Sequence, residues 1–182
     1  MTAENQRWLQ DLKDGREEAL KRLFSEFSAP LGRYLTGMVK HAAVAEDLVQ
    51  EALLKFLSSL DTFRGEASVK SYLYRIATNL ALNHLASAAH RRETFPEELP
   101  EGGTGGPSPQ ESAAREETTR EIRSAVASLP PRQRAVVILR TWQELTFREI
   151  AQALEMAEGT AKATYFYALR NLRTSLGGIH ES

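Results

Sequence analysis

Apolar residues in this chain recur at steps of three and four, and no strict alternation persists beyond a few positions. That period belongs to helices that bury one stripe and leave the other face to solvent. Over 43–60 the stripe is Ala45, Leu48, Val49, Ala52, Leu53, Phe56, Leu57 and Leu60, and Asp47, Gln50, Glu51, Leu54 and Lys55 fall on the opposite face. Over 16–39 the same period runs through Leu20, Leu23, Phe24 and Phe27, then Leu31, Tyr34, Leu35 and Met38. Pro30 is expected to mark a break between these two runs, because proline lacks an amide hydrogen and crowds the preceding turn. A further helix is expected from about Ser68 to His90, with Val69, Leu73, Ala77, Leu80 and His84 facing the core.

The pattern stops between Thr94 and Pro109, where Pro, Gly and Glu dominate. Such a segment breaks helix and strand alike and has little to bury, so an extended or disordered linker is expected. The helical period then returns. Leu129-Pro-Pro131 places proline where a first helical turn accepts it. Thr146-Phe-Arg-Glu149 has capping-box spacing. Two helices are expected over 146–154 and 160–173, joined by Glu155–Gly159, with Gly159 supplying the freedom of the turn. The fold class is therefore all-α: two small helical domains, a four-helix unit over 1–92 and a helix-turn-helix unit over 120–182, with a flexible acidic linker over 93–119.

Composition narrows the function. The chain has 182 residues, 42% hydrophobic and 26% charged, as in ordinary water-soluble domains. It has no cysteine, so disulfides, thiolate metal sites and thiol nucleophiles are absent; a reducing cytoplasm fits. Neither a signal peptide nor a run of the roughly 18 apolar residues of a membrane span is seen. The net charge of −1 hides a pattern. Residues 1–92 carry +2, residues 93–121 carry −6 and residues 122–182 carry +3. Two mildly basic modules flank an acidic strap, a weaker surplus than most nucleic-acid binders show.

Three groups of residues carry candidate chemistry. In the last helix Lys162, Ala163, Thr164, Phe166, Tyr167, Arg170 and Arg173 should be exposed, a face suited to the major groove; a plain helical hairpin reads equally well from periodicity. Tyr72, Ile76, Asn79 and Asn83 share one stripe, where rings stack on unpaired bases and amides read their edges; a core tyrosine beside solvated asparagines is the competing reading. Lys70, Arg75, Arg91 and Arg92 suit phosphates. Leu54 is an apolar side chain among charges, which more often marks a partner surface than a solvated face. Histidines 41, 84, 90 and 180 lack metal-ligand spacing, and no catalytic triad or phosphate loop stands out, so no cofactor is expected and an enzyme is disfavoured.

Ala45-Glu-Asp-Leu-Val-Gln-Glu-Ala52, Phe63-Arg-Gly-Glu-Ala-Ser68 and Tyr72-Leu-Tyr-Arg-Ile-Ala-Thr-Asn-Leu-Ala-Leu-Asn83 resemble region 2 of the extracytoplasmic-function (ECF) sigma factors of bacterial RNA polymerase. Leu129-Pro-Pro-Arg-Gln-Arg134, Leu145-Thr-Phe-Arg-Glu-Ile-Ala151 and Glu158-Gly-Thr-Ala-Lys162 resemble their region 4. The resemblance implies a cytoplasmic, non-enzymatic subunit that binds the clamp and flap of core polymerase, recognises promoter DNA and helps open it, with an anti-sigma factor as a further partner. It assigns Asp47, Gln50, Glu51, Leu54 and Lys55 to the polymerase. It assigns Phe63, Arg64, Ser68, Lys70, Tyr72, Arg75, Asn79 and Asn83 to the minus-10 element. Thr146, Glu158, Gly159, Thr160, Lys162, Ala163, Phe166, Tyr167 and Arg170 fall to the minus-35 element. The acidic linker would thread a basic channel toward the active-site cleft and RNA exit. The chain departs from the family in Ala163-Thr-Tyr-Phe-Tyr167, where several basic residues are common, and in Leu57 and Tyr72, where tryptophan is frequent. The alternatives are a stand-alone helix-turn-helix regulator whose first domain senses or dimerises, and a degenerate member that reads no promoter.

Overall fold

A computed structural model describes residues 3–63, 65, 67–94 and 110–177, with backbone alone at 3, 92–94, 110–116 and 177. The described residues form helices α1 (Ala3–Lys13), α2 (Glu17–Val39), α3 (Ala42–Ser58), α4 (Val69–Thr94), α5 (Gln110–Ser128), α6 (Pro131–Thr141), α7 (Phe147–Leu154) and α8 (Glu158–Gly177).

The N-terminal unit is built on α2, which packs on α3 and α4. Leu23, Leu31, Tyr34, Leu35 and Met38 of α2 meet Ala45, Ala52, Leu53 and Phe56 of α3 and Leu73, Tyr74, Ala77 and Ala81 of α4, all fully or almost fully buried. Within this core the Thr78 hydroxyl donates to the Tyr74 carbonyl, so the Tyr34 hydroxyl, 2.6 Å away, is left to donate to Thr78 Oγ1. Burial pushes the Tyr34 phenol well above its ordinary range and keeps that donor protonated.

Pro30 does not break the chain: α2 is continuous through it. A mid-helix proline costs roughly 3 kcal/mol. Leu23 and Phe27 before it and Leu31, Leu35 and Met38 after it are buried on one side, and each such burial contributes roughly 1.5–3 kcal/mol. The packing outweighs the break. Lys40, left-handed at φ 59°, then ends α2, and its amide bonds to the Thr36 carbonyl. His41 caps α3, its Nδ1 accepting from the Val44 amide. Helix α1 was not anticipated; it buries Trp8, Leu9 and Leu12, and the Trp8 indole donates to the Ala19 carbonyl at 3.2 Å.

In the C-terminal unit α6 starts with Pro131 in its first turn, as expected. Helix α5 is already formed at Gln110, so residues 110–119, expected as linker, are helical; residues 95–109 lie outside the described residues. The turn between α7 and α8 is Glu155–Ala157. Glu155, at φ 52°, is its left-handed residue. Gly159, expected to supply that freedom, stands instead in the first turn of α8 without a positive φ.

The two units touch. Helix α6 lies on α2, and α7 lies on α4. Gly37 permits the first contact, since a Cβ there would stand 3.0 Å from Ile138 Cδ1. Arg134 of α6 is buried, and its guanidinium donates to the carbonyls of Ala127 and Leu129 in its own unit and of Met38 near the end of α2. A cation suits the negative C-terminal end of α2. Burial lowers the pKa of this guanidinium from its ordinary value.

Candidate polymerase and nucleic-acid interfaces

The first face lies on α3. The buried stripe turns Asp47, Gln50, Glu51, Leu54 and Lys55 outward, and all five are exposed. Leu54 is 63% exposed, and Lys55 pairs with Glu51 at 3.2 Å. An unpaired carboxylate and amide beside an open leucine form a small mixed patch, which suits a protein partner.

The second face joins the loop after α3 to α4. Phe56, fully buried, is the floor for two half-buried rings: Phe63 at 6.2 Å and Tyr72 at 6.1 Å between centroids. Phe63 and Tyr72 lie 4.9 Å apart. Packing thus holds both rings with one edge toward solvent. Ser68 caps α4: its Oγ accepts from the Ser71 amide and donates to Ser71 Oγ, both at 3.0 Å. Asn79 and Asn83 are exposed on the same helix, and Ile76 is half-buried beneath them. Arg64 lies outside the described residues, as does the side chain of Arg92; Arg91 is exposed.

Lys70 and Arg75, two of the four cations expected to meet phosphates, are engaged by the C-terminal unit. Lys70 Nζ donates to the Gln143 carbonyl at 3.3 Å, and Arg75 pairs with Glu155. Between them the Tyr74 hydroxyl donates to Gln143 Oε1 at 2.8 Å in a buried bond. Burial pushes the Tyr74 phenol up to about 12, against the opposing pull of Arg33, so it remains a donor. Gln143, Glu155, Tyr74 and Arg134 were not singled out in the sequence; the partners lie up to 96 residues apart, beyond the reach of helical spacing.

The third face lies on α7 and α8. Thr146 caps α7 through the expected reciprocal box with Glu149. Burial raises the Glu149 carboxyl, but the Thr146 amide and hydroxyl and the nearby Lys70 outweigh it and hold the group below its ordinary value. Ala161 and Ala168 are the buried contacts of α8, and Tyr165 is half-buried against Phe147 at 5.6 Å. Glu158, Gly159, Thr160, Lys162, Ala163, Phe166, Tyr167, Arg170 and Arg173 are exposed, and Thr164 is half-buried. Phe166 and Tyr167 are 64% and 55% exposed. Lys162 pairs with Glu158 at 2.9 Å, and the Arg170 guanidinium lies 5.0 Å over the Tyr167 ring. Ala163, Phe166, Tyr167 and Arg170 line one shallow depression. This helix presents rings more than charge.

Among the described residues no group of three or more metal-ligating side chains converges, and no helix is long and apolar enough to cross a membrane.

Comparison with known proteins identifies the family. Residues 23–91 match sigma-70 region 2, and residues 119–172 match sigma-70 region 4. The ECF RNA polymerase sigma factor SigX of Bacillus subtilis is 32% identical over 169 residues, spanning 91% of this chain and 87% of SigX. The ECF RNA polymerase sigma-E factor of Haemophilus influenzae is 26% identical over 172 residues, 90% of each chain. Among solved structures, the sigma factor RpoE of Bartonella quintana, in complex with the anti-sigma factor NepR, aligns with a TM-score of 0.70 over 86% of this chain and 96% of RpoE. CnrH, in complex with the cytosolic domain of CnrY, aligns with the same TM-score over 96% and 97%. At 20% and 18% identity these two speak to the fold. A match to region 2 as well as region 4, in order and along nearly the whole of SigX, leaves no place for a stand-alone helix-turn-helix regulator: the chain belongs to the ECF group of the sigma-70 family of RNA polymerase sigma factors.

Proposed function

We propose that the three faces divide the work of transcription initiation. The α3 face, Asp47, Gln50, Glu51 and Leu54 with Lys55 at its edge, docks on the clamp of core polymerase. Phe63, Tyr72, Asn79 and Asn83, with Arg64, Ser68, Lys70 and Arg75 beside them, hold unpaired bases and phosphates of the minus-10 element. The exposed face of α8 with Thr146 lies on the minus-35 duplex, while region 4 meets the flap. The carrying observation is the aromatic pair on the Phe56 floor, with two exposed asparagines about two and three turns beyond Tyr72 on the same helix. Duplex readers have no use for such a surface.

The mechanism is binding energy, and the protein acts as a transcription initiation factor on cytoplasmic polymerase. Each stacked base contributes roughly 1–3 kcal/mol. Two captured bases thus shift the closed-to-open equilibrium by roughly thirtyfold to about twenty-thousandfold. The segment 93–121, at net −6, suits a basic nucleic-acid channel that nascent RNA later claims. One structural relative, RpoE, was solved with an anti-sigma factor, and a similar partner is proposed here.

Run-off transcription with bacterial core polymerase on fragmented genomic DNA, followed by sequencing of transcript starts, tests the proposal. Discrete starts that need this chain and share two upstream elements are expected. Stable association with core without any stimulated start would refute the promoter assignments.

A further inference from the structure

The stripe that α8 turns outward is mostly apolar. Ala163, Phe166, Tyr167 and Arg170 follow one another at steps of three, one and three, which puts them on one side of the helix. Together they line one shallow depression. Ala161 and Ala168, the buried residues of α8, stand on the opposite side. Both rings have neighbours behind them. Phe166 meets Tyr165 edge-on at 5.9 Å between centroids, and Tyr165 rests in turn on Phe147 of α7 at 5.6 Å. Tyr167 carries the Arg170 guanidinium 5.0 Å from its ring centre. Ala163, one turn earlier, has too short a side chain to fill the space between the rings. Lys162, the cation beside it, is paired with Glu158 at 2.9 Å.

Such a stripe suits only part of what a major groove displays. The base edges there present hydrogen-bond donors and acceptors, with one apolar group among them, the C5-methyl of thymine. A phenyl ring laid against adenine N6, cytosine N4 or guanine O6 takes water from that group and returns no hydrogen bond, which costs affinity. Laid against a thymine methyl, the same ring removes apolar surface from water on both sides. Selection therefore runs in both directions: the methyl is favoured, and the polar edges are penalised.

We infer that Phe166 and Tyr167, with the gap left by Ala163 between them, form a thymine-methyl reader, each ring covering one methyl of the minus-35 element. The inference rests on α8 lying on the minus-35 duplex, as proposed above, and names the base feature that this duplex must supply. Hiding one methyl corresponds to about a fourfold change in affinity, and hiding two to about fifteenfold. Discrimination of this kind comes from apolar contact, so it persists as salt is raised, whereas phosphate contacts weaken.

The test uses the full chain with core polymerase on a promoter found by run-off transcription. In synthetic duplexes each thymine of the minus-35 element, on either strand, is replaced in turn by deoxyuridine, which removes the methyl and keeps the pairing groups. At two positions the replacement should weaken promoter binding by about fourfold. Phe166→Ala and Tyr167→Ala should bind the thymine promoter more weakly, and each should no longer distinguish uracil from thymine at one of those positions. Both rings are more than half exposed, so neither truncation opens a cavity. Tyr167→Arg gives a second measure from a variant that removes no bulk: its salt slope should steepen by about one, and discrimination at the Tyr167 position should vanish. Equal binding of thymine and uracil promoters by the wild-type chain overturns the inference. So does discrimination that survives in all three variants, which would trace to DNA shape, and so does an element made of G·C pairs alone. Scrambling the whole minus-35 element separates the layers. If scrambling weakens binding and uracil does not, methyl reading alone fails; if scrambling changes nothing, the placement of α8 on this duplex fails and the methyl reader with it.

Discussion

Leu54 offers a clean separation of binding from stability. It is 63% exposed on α3, so truncation to alanine leaves no cavity, and the free protein should change by no more than roughly 0.5 kcal/mol. Full burial of a leucine side chain contributes roughly 1.5–3 kcal/mol. About three-fifths of that side chain remains to be hidden when polymerase covers the face, which corresponds to roughly 1–2 kcal/mol, or a five- to thirtyfold weaker complex for Leu54→Ala. Competition of unlabelled variant against labelled wild type for core polymerase gives the affinity ratio, and urea unfolding gives the stability. The expected pair is a right-shifted competition curve with an unchanged unfolding midpoint. Unchanged affinity would refute the α3 docking face at its apolar centre. A lowered midpoint would show that Leu54 packs against something within the chain.

Asn79→Ala should lower the yield of open promoter complexes, read by permanganate footprinting, with core affinity unchanged, whereas Asp47→Arg should do the reverse. Phe56→Ala removes the floor under Phe63 and Tyr72 and a fully buried ring, and should cost roughly 3–5 kcal/mol in urea unfolding. Thr146→Ala deletes a cap whose box with Glu149 is complete and should cost about 1 kcal/mol in the same measurement. Binding of the chain to a minus-35 duplex should show a salt slope no steeper than about −3, the limit set by Lys162, Arg170 and Arg173 on α8; a slope near −6 would mean that phosphates are met by another surface.

Where periodicity alone determines a structure, the sequence is readable. Seven of the eight residues assigned to the stripe over 43–60 are buried and Leu57 is half-buried, because an amphipathic helix has one way to hide its apolar side. The Thr146–Glu149 box was equally legible, since its partners are three residues apart. Local rules failed where distant packing prevailed. Pro30 is a helix breaker in isolation, yet α2 runs through it because both of its halves lie on the same core. Proline and glycine density was read too far into α5, which starts at Gln110. Helix α1 had a signal, Trp8, Leu9 and Leu12 on one side, that went unused. Lys70 and Arg75 were recognised as cations beside Tyr72, but their partners Gln143 and Glu155 come from the far unit. No spacing within α4 encodes such a contact.

The thin charge of α8 bears on how the two regions act together. Of its three cations, Lys162 is paired with Glu158, and Arg170 lies over Tyr167. The whole chain is at −1. Counterion release, the main source of sequence-independent affinity for duplex DNA, is therefore small, and on the proposed minus-35 face the exposed rings of Phe166 and Tyr167 would carry contact by shape and apolar touch to base methyls. Such a helix alone holds DNA weakly. Region 2, on the proposed assignment, is limited in another way, since its rings and amides would act only on bases already unpaired. Polymerase resolves both limits by fixing the two regions at promoter spacing. The second contact then forms at an effective concentration on the order of millimolar, and two weak contacts multiply into one strong one. Weakness of each part alone would thus make promoter recognition conditional on polymerase.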